Sequence, residues 1–172
     1  SNHCRATAVA ARQLGLVPVL LLRGESGPPV GNYLLDQLLG ARVHYCTKSQ
    51  YSEERDAIMD ELAERYRDLS PTIIPEGGSN GLGAFGYIEA TRELGRRFDG
   101  VFCAVGSGGT LAGLALGSDI GPIDGVAVCD DRGYFEARVR AIAAEAQQLG
   151  ARPLTEPGDG WQVLEGYQGP GY

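Results

Sequence analysis

Apolar residues are grouped along this chain in short runs that end in glycine, proline or polar residues. Continuous apolar runs of this length are typical of strands that are buried on both faces of a parallel sheet. With the patterns around them, they predict strands at residues 17–22, 41–46, 72–75, 101–105, 125–129 and 161–164. The run at 101–105 contains no polar residue and is predicted to be a buried strand.

Helical patterns fill the segments between the predicted strands. An alanine-rich pattern follows Ser1 and Asn2, which can cap a helix, and it stops at Gly15. A longer helix with an apolar stripe is expected to begin at Ser52 and to end at Pro71. Further helices are predicted at residues 32–39, 82–98, 111–116 and 134–149, the last with Phe135, Val139, Ile142 and Ala146 near one face. The alternation predicts an α/β fold with a parallel sheet and right-handed crossovers.

Composition narrows the class of protein. The 172 residues are 43% hydrophobic and 22% charged, which is typical of a globular chain with one sizeable core or two small lobes. A formal net charge of −7 argues against nucleic acid or acidic membranes as partners. No apolar run is long enough to span a bilayer, and the four cysteines form no CxxC pair. We therefore expect a cytoplasmic protein with reduced thiols and no metal site.

A glycine-rich segment follows the predicted strand at 101–105 and leads at once into an apolar helix. It comprises Gly106, Ser107, Gly108, Gly109 and Thr110. The free N–H groups and the dipole of a helix N-terminus favour an anion, and glycines let the backbone approach a phosphate closely. The two hydroxyls add donors. The segment predicts a phosphate site, although an ordinary glycine-rich turn explains the same residues equally well.

Two nucleotide-binding motifs are disfavoured. The turn lacks the Gly-Lys-Ser/Thr of a Walker A loop, and Leu111 occupies the position where a dinucleotide fingerprint has its third glycine. Gly81, Gly83 and Gly86 do spell GxGxxG after a predicted strand. A dinucleotide site also needs an acid at the end of the next strand, and that strand runs directly into glycine. Two glycine turns on consecutive strands better suit a ligand lying across the edge of the sheet.

Four segments, in the same order, resemble the family of D-cysteine desulfhydrases and 1-aminocyclopropane-1-carboxylate (ACC) deaminases. They are Ser-Asn-His-Cys-Arg at residues 1–5, Ile-Pro-Glu-Gly-Gly-Ser-Asn-Gly-Leu-Gly-Ala-Phe-Gly-Tyr at 74–87, Gly-Ser-Gly-Gly-Thr-Leu-Ala-Gly at 106–113 and Gly-Pro-Gly-Tyr at 169–172. The first three are specific in combination, although Gly-Ser-Gly-Gly-Thr also occurs in related enzymes such as cysteine synthase.

The resemblance implies the tryptophan-synthase-β type of fold, with pyridoxal phosphate between two lobes. Residues 1–71 would then be part of the small lobe, and residues 72–172 part of the larger lobe that binds the cofactor phosphate. The family's cofactor-linked lysine precedes the segment that matches residues 1–5, and its last cofactor-binding segment follows the one that matches Tyr172. The chain thus resembles the middle of such an enzyme, and we expect it to be inactive alone and the parent protein to be a homodimer.

Site residues are implied by position. Ser1 matches a hydroxyl near the substrate α-carbon, Asn2 a hydrogen-bond partner of the cofactor's phenolic oxygen, and Tyr172 an active-site tyrosine. The helix start at Ser1, Asn2 and His3 would receive the substrate carboxylate, and residues 106–110 the cofactor phosphate. Residues 77–80 would border the cofactor. Without the resemblance, a plain helix cap is the better explanation of Ser1 and Asn2, and surface positions explain His3 and Tyr172.

The implied activity is that of a pyridoxal-phosphate-dependent lyase or deaminase acting on a small amino acid. His3 stands where the deaminases usually have glutamine, which favours conversion of D-cysteine to pyruvate, sulfide and ammonia over ACC deamination. Two alternatives from other classes remain. One is a non-catalytic module that holds a phosphorylated ligand, and the other is an NAD-dependent oxidoreductase.

Overall fold

The structure of the chain is a computed structural model, which describes residues 1–168. The chain folds into two compact units, Ser1–Ile74 and Pro75–Tyr172. All strand pairs are parallel in the described residues, as predicted for an α/β fold. The sequence places a boundary near Pro71, whereas the units meet at Ile74 and Pro75. The assignment of these units to a small lobe and a larger, phosphate-binding lobe stays a prediction.

The first unit contains four helices and a two-stranded sheet in the described residues. Its elements are α1 (Asn2–Gln13), β1 (Val19–Arg23), α2 (Gly31–Leu38), β2 (Arg42–Cys46), α3 (Lys48–Glu53), α4 (Arg55–Arg65) and a 3₁₀ turn (Arg67–Leu69). Strand β1 pairs with β2, with Val19 opposite Arg42, and α2 forms the crossover between them. Helix α2 packs against α1, so it supports the helix whose first residues are candidate site residues.

The second unit contains the candidate phosphate turn. Its elements are a 3₁₀ turn (Glu76–Gly78), α5 (Gly81–Leu94), β3 (Val101–Val105), α6 (Gly109–Leu116), β4 (Ile123–Ala127), α7 (Arg132–Gln148) and β5 (Trp161–Leu164). The three strands form a parallel sheet in the order β3-β4-β5. The bounds of β3 and β5 are those that the sequence predicts.

Helix α6 lies in the centre of the second unit's core. Every one of its residues except Thr110 is buried. Two glycines allow its close packing: a Cβ on Gly113 would lie 2.5 Å from the Cβ of Tyr87 in α5, and one on Gly125 would lie 2.5 Å from Leu111 Cδ2. The predicted face of α7 is confirmed, because Phe135, Val139, Ile142 and Ala146 are all buried. The start of α6 is therefore held rigidly at the end of β3.

Three predictions about strands are wrong. Strand β3 is not buried on both faces, since Phe102 is 68% exposed, and of the unit's helices α6 packs most closely against the strand. Residues 72–75 form no strand, because a strand needs a partner and they pair with none in the described chain. Strand β4 begins and ends two residues earlier than predicted, because its pairing with β3 stops at Val105 and Ala127, where the glycine turn begins.

The expected cap at Ser52 is also wrong. Thr47 is the N-cap of α3, in a capping box in which its side chain accepts the Gln50 N–H and the Gln50 side chain accepts the Thr47 N–H. Ser52 lies inside α3 and donates its hydroxyl to the carbonyls of Lys48 and Ser49. Two reciprocal bonds stabilise the earlier start better than one side-chain cap. The helix then ends at Glu53, and α4 follows as a separate helix.

Asp36 is a buried carboxylate in α2. It is 0% exposed, and neither of its oxygens has a hydrogen-bond partner among the described residues. Burial raises its pKa, and the positive charges of the α-amino group and Arg5 offset this only in part. A carboxyl whose pKa is raised by folding destabilises the folded state once the pH exceeds its unfolded pKa of about 3.9.

We expect Asp36→Asn to raise the melting temperature of the chain at pH 8 by a few degrees. The gain should shrink as the pH falls and vanish near pH 4, because the parent carboxyl is then neutral as well. Thermal unfolding followed by circular dichroism between pH 4 and 8 measures this difference. Asp60→Asn, at an exposed position of α4, is the matched control for the change in net charge. An Asp36→Asn variant that melts no higher than the parent at pH 8 would contradict the prediction.

Candidate functional site

The predicted phosphate turn joins β3 to α6. Gly108 is the N-cap of α6 and adopts φ +91° and ψ −18°, a left-handed conformation that glycine alone adopts at little cost. As a glycine it offers no side-chain cap to the first N–H groups of the helix. Those groups have no partner within the helix itself, so a ligand can bind them. The hydroxyls of Ser107 and Thr110, both half-buried, flank the same turn.

A second glycine loop, residues 77–80, contacts this turn. The hydroxyl of Ser79, which is 4% exposed, lies 2.7 Å from the Ser107 hydroxyl and accepts the Gly109 N–H at 3.2 Å. Glycine is required at both contacts. A Cβ on Gly77 would lie 2.2 Å from Ser107 Oγ, and a Cβ on Gly109 would lie 2.6 Å from Ser79 Oγ. The two loops that the sequence singles out thus form one hydrogen-bonded unit.

The GxGxxG sequence does not form a ligand turn. Gly81, Gly83 and Gly86 all lie in α5, and Asn80 is its N-cap, accepting the Gly83 N–H at 2.8 Å. The Gly81 N–H donates to Glu145 Oε2 at 2.7 Å. A carboxylate therefore already lies at the N-terminus of α5, and it would repel a pyrophosphate. This arrangement agrees with the exclusion of a dinucleotide fingerprint.

Two thiols near the turn remain neutral. Cys129 donates its S–H to the Gly106 carbonyl at 3.7 Å, and burial together with Asp130 raises its pKa. Burial raises the pKa of Cys103 in β3 to about 11. Neither thiol ionises at neutral pH, so neither adds a negative charge where a phosphate would bind. The acidic groups near Cys129 are Asp130 and Glu76, which the donors of the turn must outweigh.

The other candidate residues begin α1 in the first unit. Ser1 is its N-cap and accepts the Cys4 N–H at 3.1 Å. Asn2 accepts a hydrogen bond from the side-chain amide of Asn32 at 2.9 Å, and His3 is half-buried. The cap role that the sequence allows for Ser1 is therefore observed, and its catalytic role stays a prediction. Tyr172 lies outside the described residues.

Three contacts of the site are not evident from the sequence. Ser79 lies 28 residues before Ser107, and Asn32 lies 30 residues after Asn2. Glu145, whose carboxylate meets α5, lies 64 residues from Gly81. No motif links these pairs, so only the folded structure identifies them. In the same residues, 1–168, no group of three or more His, Cys, Asp and Glu side chains could hold a metal ion, and no helix is long and apolar enough to cross a membrane.

The groups at the turn fit a phosphate. The N-terminus of α6 supplies N–H donors and the positive end of the helix dipole, and the hydroxyls of Ser107 and Thr110 supply two further donors. Gly77 and Gly109 let the 77–80 loop lie directly against the turn, since a Cβ at either would collide with the hydroxyl of Ser107 or Ser79. Phosphate binding by such turns relies on hydrogen bonds and needs no basic side chain.

Comparison with known proteins agrees with these features. Residues 1–168 match the family model described as pyridoxal-phosphate dependent enzyme. A Thermotoga maritima protein named a putative ACC deaminase is 41% identical over 185 residues, which cover 100% of this chain and 58% of that protein. A mitochondrial protein of Arabidopsis thaliana, named a bifunctional D-cysteine desulfhydrase/ACC deaminase, is 42% identical over 164 residues, or 83% of this chain and 41% of that protein.

A D-cysteine desulfhydrase of Salmonella paratyphi A is 32% identical, over 100% of this chain and 56% of that protein. The crystal structure of an ACC deaminase homologue superposes with a TM-score of 0.76 at 33% identity, covering 96% of this chain and 52% of the other. The chain therefore spans about half the length of the curated relatives it matches. The relatives that match the chain include proteins named for ACC deaminase activity, for D-cysteine desulfhydrase activity and for both.

Proposed function

Because the chain belongs to the family of pyridoxal-phosphate dependent enzymes, we propose that its 106–110 turn holds the phosphate group of that cofactor. The observation that carries this proposal is the hydrogen-bonded contact between the turn and the 77–80 loop, which builds a rigid set of donors at the start of α6. Ser107 and Thr110 would donate their hydroxyls, and the α6 N–H groups that follow Gly109 would complete the site, since the Gly109 N–H itself donates to Ser79.

Asn2 is the residue proposed to contact the ring of the cofactor. Its carbonyl oxygen already accepts a hydrogen bond from Asn32, so its NH₂ group remains available to donate to the phenolic oxygen. Bound pyridoxal phosphate supplies an electron sink for breaking bonds at the α-carbon of an amino acid. Ser1 is proposed to hold or move a proton at that α-carbon, and the N–H groups at the start of α1 to bind the substrate carboxylate.

The proposed reaction is conversion of D-cysteine to pyruvate, sulfide and ammonia, and ACC deamination is the alternative. His3 supports D-cysteine as the substrate. Relatives named for D-cysteine desulfhydrase and for ACC deaminase activity support both reactions as candidates. The assay requires a protein as long as the relatives. We define the completed protein as this chain joined to the parts of the Thermotoga maritima relative that lie outside the matched region. Sulfide release from D-cysteine, against ammonia release from ACC, separates the two activities.

Ser1→Ala in the completed protein should keep cofactor binding and lower turnover by about 10²-fold or more, the usual contribution of a group that transfers protons. The substitution also removes the α1 cap, which costs about 1 kcal/mol of stability. Ser1→Asn separates the two effects, because asparagine caps a helix as well as serine does but has no hydroxyl. We expect Ser1→Asn to be as stable as the parent and as inactive as Ser1→Ala. Parental turnover of D-cysteine by Ser1→Asn would exclude the proposed role.

A further inference from the structure

In the hydrogen bond between Ser79 and Ser107, one hydroxyl donates and the other accepts. The distance of 2.7 Å between their oxygens allows either hydroxyl to donate. Ser79 also accepts the Gly109 N–H, which uses one of the two lone pairs on its oxygen. These are the hydrogen bonds of the Ser79 side chain among the described residues. The question is where the hydroxyl proton of each serine points.

Burial decides between the two arrangements. Ser79 is 4% exposed, so its hydroxyl proton does not reach solvent, and an unpaired buried donor destabilises the folded state. If Ser107 donated to Ser79, the Ser79 proton would have no acceptor among the described residues. Ser107 is only half-buried, so its own proton can point out of the turn. The favoured arrangement therefore has Ser79 donating to Ser107 Oγ.

We propose that Ser79 is a positioning residue of the phosphate site, which orients the Ser107 hydroxyl as a donor toward the phosphate. The Gly109 N–H donates to Ser79 Oγ, Ser79 donates to Ser107 Oγ, and Ser107 donates to the ligand. Consecutive hydrogen bonds polarise one another. This series of hydrogen bonds therefore extends the positive electrostatic potential at the N-terminus of α6 toward the anion. The inference rests on the proposed function, because it needs a phosphate at this turn.

The close approach of the two loops supports this role. Gly77 has φ +70°, and any side chain there would collide with Ser107 Oγ. Gly109 leaves the space that Ser79 Oγ occupies. Both glycines therefore serve the contact between the serines. The Thr110 hydroxyl would donate to the phosphate without the help of Ser79 or Ser107, so Thr110 is the internal control.

The test is a pair of double-mutant cycles on the completed protein. Dissociation constants for pyridoxal phosphate are measured by calorimetry for Ser79→Ala, Ser107→Ala, Thr110→Ala and the two double variants that contain Ser79→Ala. Each single variant should bind about tenfold or more weakly, as for a lost hydrogen bond to a charged group. Adding Ser79→Ala to Ser107→Ala should change affinity by less than about twofold, whereas its effect should multiply with that of Thr110→Ala.

Pyridoxal, which lacks the phosphate, is the matched ligand, and its affinity should not change in any variant. A merely structural role of Ser79 predicts multiplied effects in both cycles, and that result overturns the inference. If Thr110→Ala weakens binding but Ser79→Ala does not, the inference also fails while the proposed phosphate site stands. If the completed protein shows no saturable binding of pyridoxal phosphate at millimolar concentration, the phosphate site itself is wrong.

A second measurement uses the protein without substitutions, so it does not depend on the stability of any variant. In a titration with pyridoxal phosphate followed by ¹H–¹⁵N NMR, the Thr110 amide should shift more than the Gly109 amide, because Ser79 retains the Gly109 N–H. A dominant downfield shift of the Gly109 amide proton would show that this group donates directly to the phosphate. That outcome would also overturn the role of Ser79.

Discussion

Gly108→Val is expected to reduce pyridoxal phosphate binding by about a hundredfold or more. The parent residue has φ +91°, and a left-handed conformation costs a residue with a Cβ about 1–2 kcal/mol. The cost is higher for valine, because a β-branched residue is a genuine outlier there. The first N–H groups of α6 would turn away from the ligand as the backbone relaxes. Loss of two hydrogen bonds to a charged group accounts for a change of this size.

The surroundings of Gly108 leave the valine little freedom to escape this strain. A Cβ at this position would lie in contact with α7, 3.4 Å from both Arg138 Cβ and Ile142 Cδ1, which leaves little room for the two methyl groups of valine. Calorimetric titration of the completed protein with pyridoxal phosphate measures the loss. Gly86→Val is the matched control, because Gly86 lies in α5 and its Cβ would meet no atom within 4 Å.

Both variants need a stability measurement beside the titration. Gly86→Val should melt at or slightly above the temperature of the unsubstituted protein, since valine has a higher helix propensity than glycine, and it should bind the cofactor with unchanged affinity. Gly108→Val should remain folded, with the core of α6 intact, yet bind poorly. Cofactor affinity in a folded Gly108→Val variant equal to that of the parent would remove the 106–110 turn from the phosphate site.

Local signals in the sequence were sufficient for much of the second unit. The apolar run that forms β3 is followed at once by glycines, so the strand could be located without tertiary information. The helix after it was predicted from Leu111, two residues later than the observed start of α6 at Gly109. The buried face of α7 follows from spacing alone. Strand β5, only four residues long, was also predictable, because it is bounded by loop residues on both sides.

The remaining features depend on partners that sequence patterns do not reveal. Residues 72–75 have the composition of a strand but pair with no strand in the described chain. Thr47 and Ser52 are both good caps, and the choice between them depended on the reciprocal bond from Gln50. The contact of Ser79 with Ser107 joins residues far apart in the chain, so the loop could be noted from the sequence but its hydrogen bonds could not.

The 172-residue chain by itself is expected to turn over neither D-cysteine nor ACC, whereas the completed protein should be active. Lys48 is the single lysine of the chain and the first residue of α3, at an exposed position directly after the Thr47 cap. The family resemblance puts the cofactor-linked lysine before the segment that matches residues 1–5, so Lys48 is not its counterpart. Arginine cannot replace it, because the guanidinium stays protonated and is not a nucleophile under these conditions.

The measurement combines turnover with covalent labelling. Each protein is mixed with pyridoxal phosphate, reduced with borohydride, digested and mapped by mass spectrometry. The completed protein should carry one label per chain on a lysine supplied by the relative, and the 172-residue chain should carry only traces. Lys48→Arg in the completed protein is the control, and it should keep parental activity and labelling. Stoichiometric labelling of Lys48 together with D-cysteine turnover by the 172-residue chain would overturn this assignment and move the active site to α3.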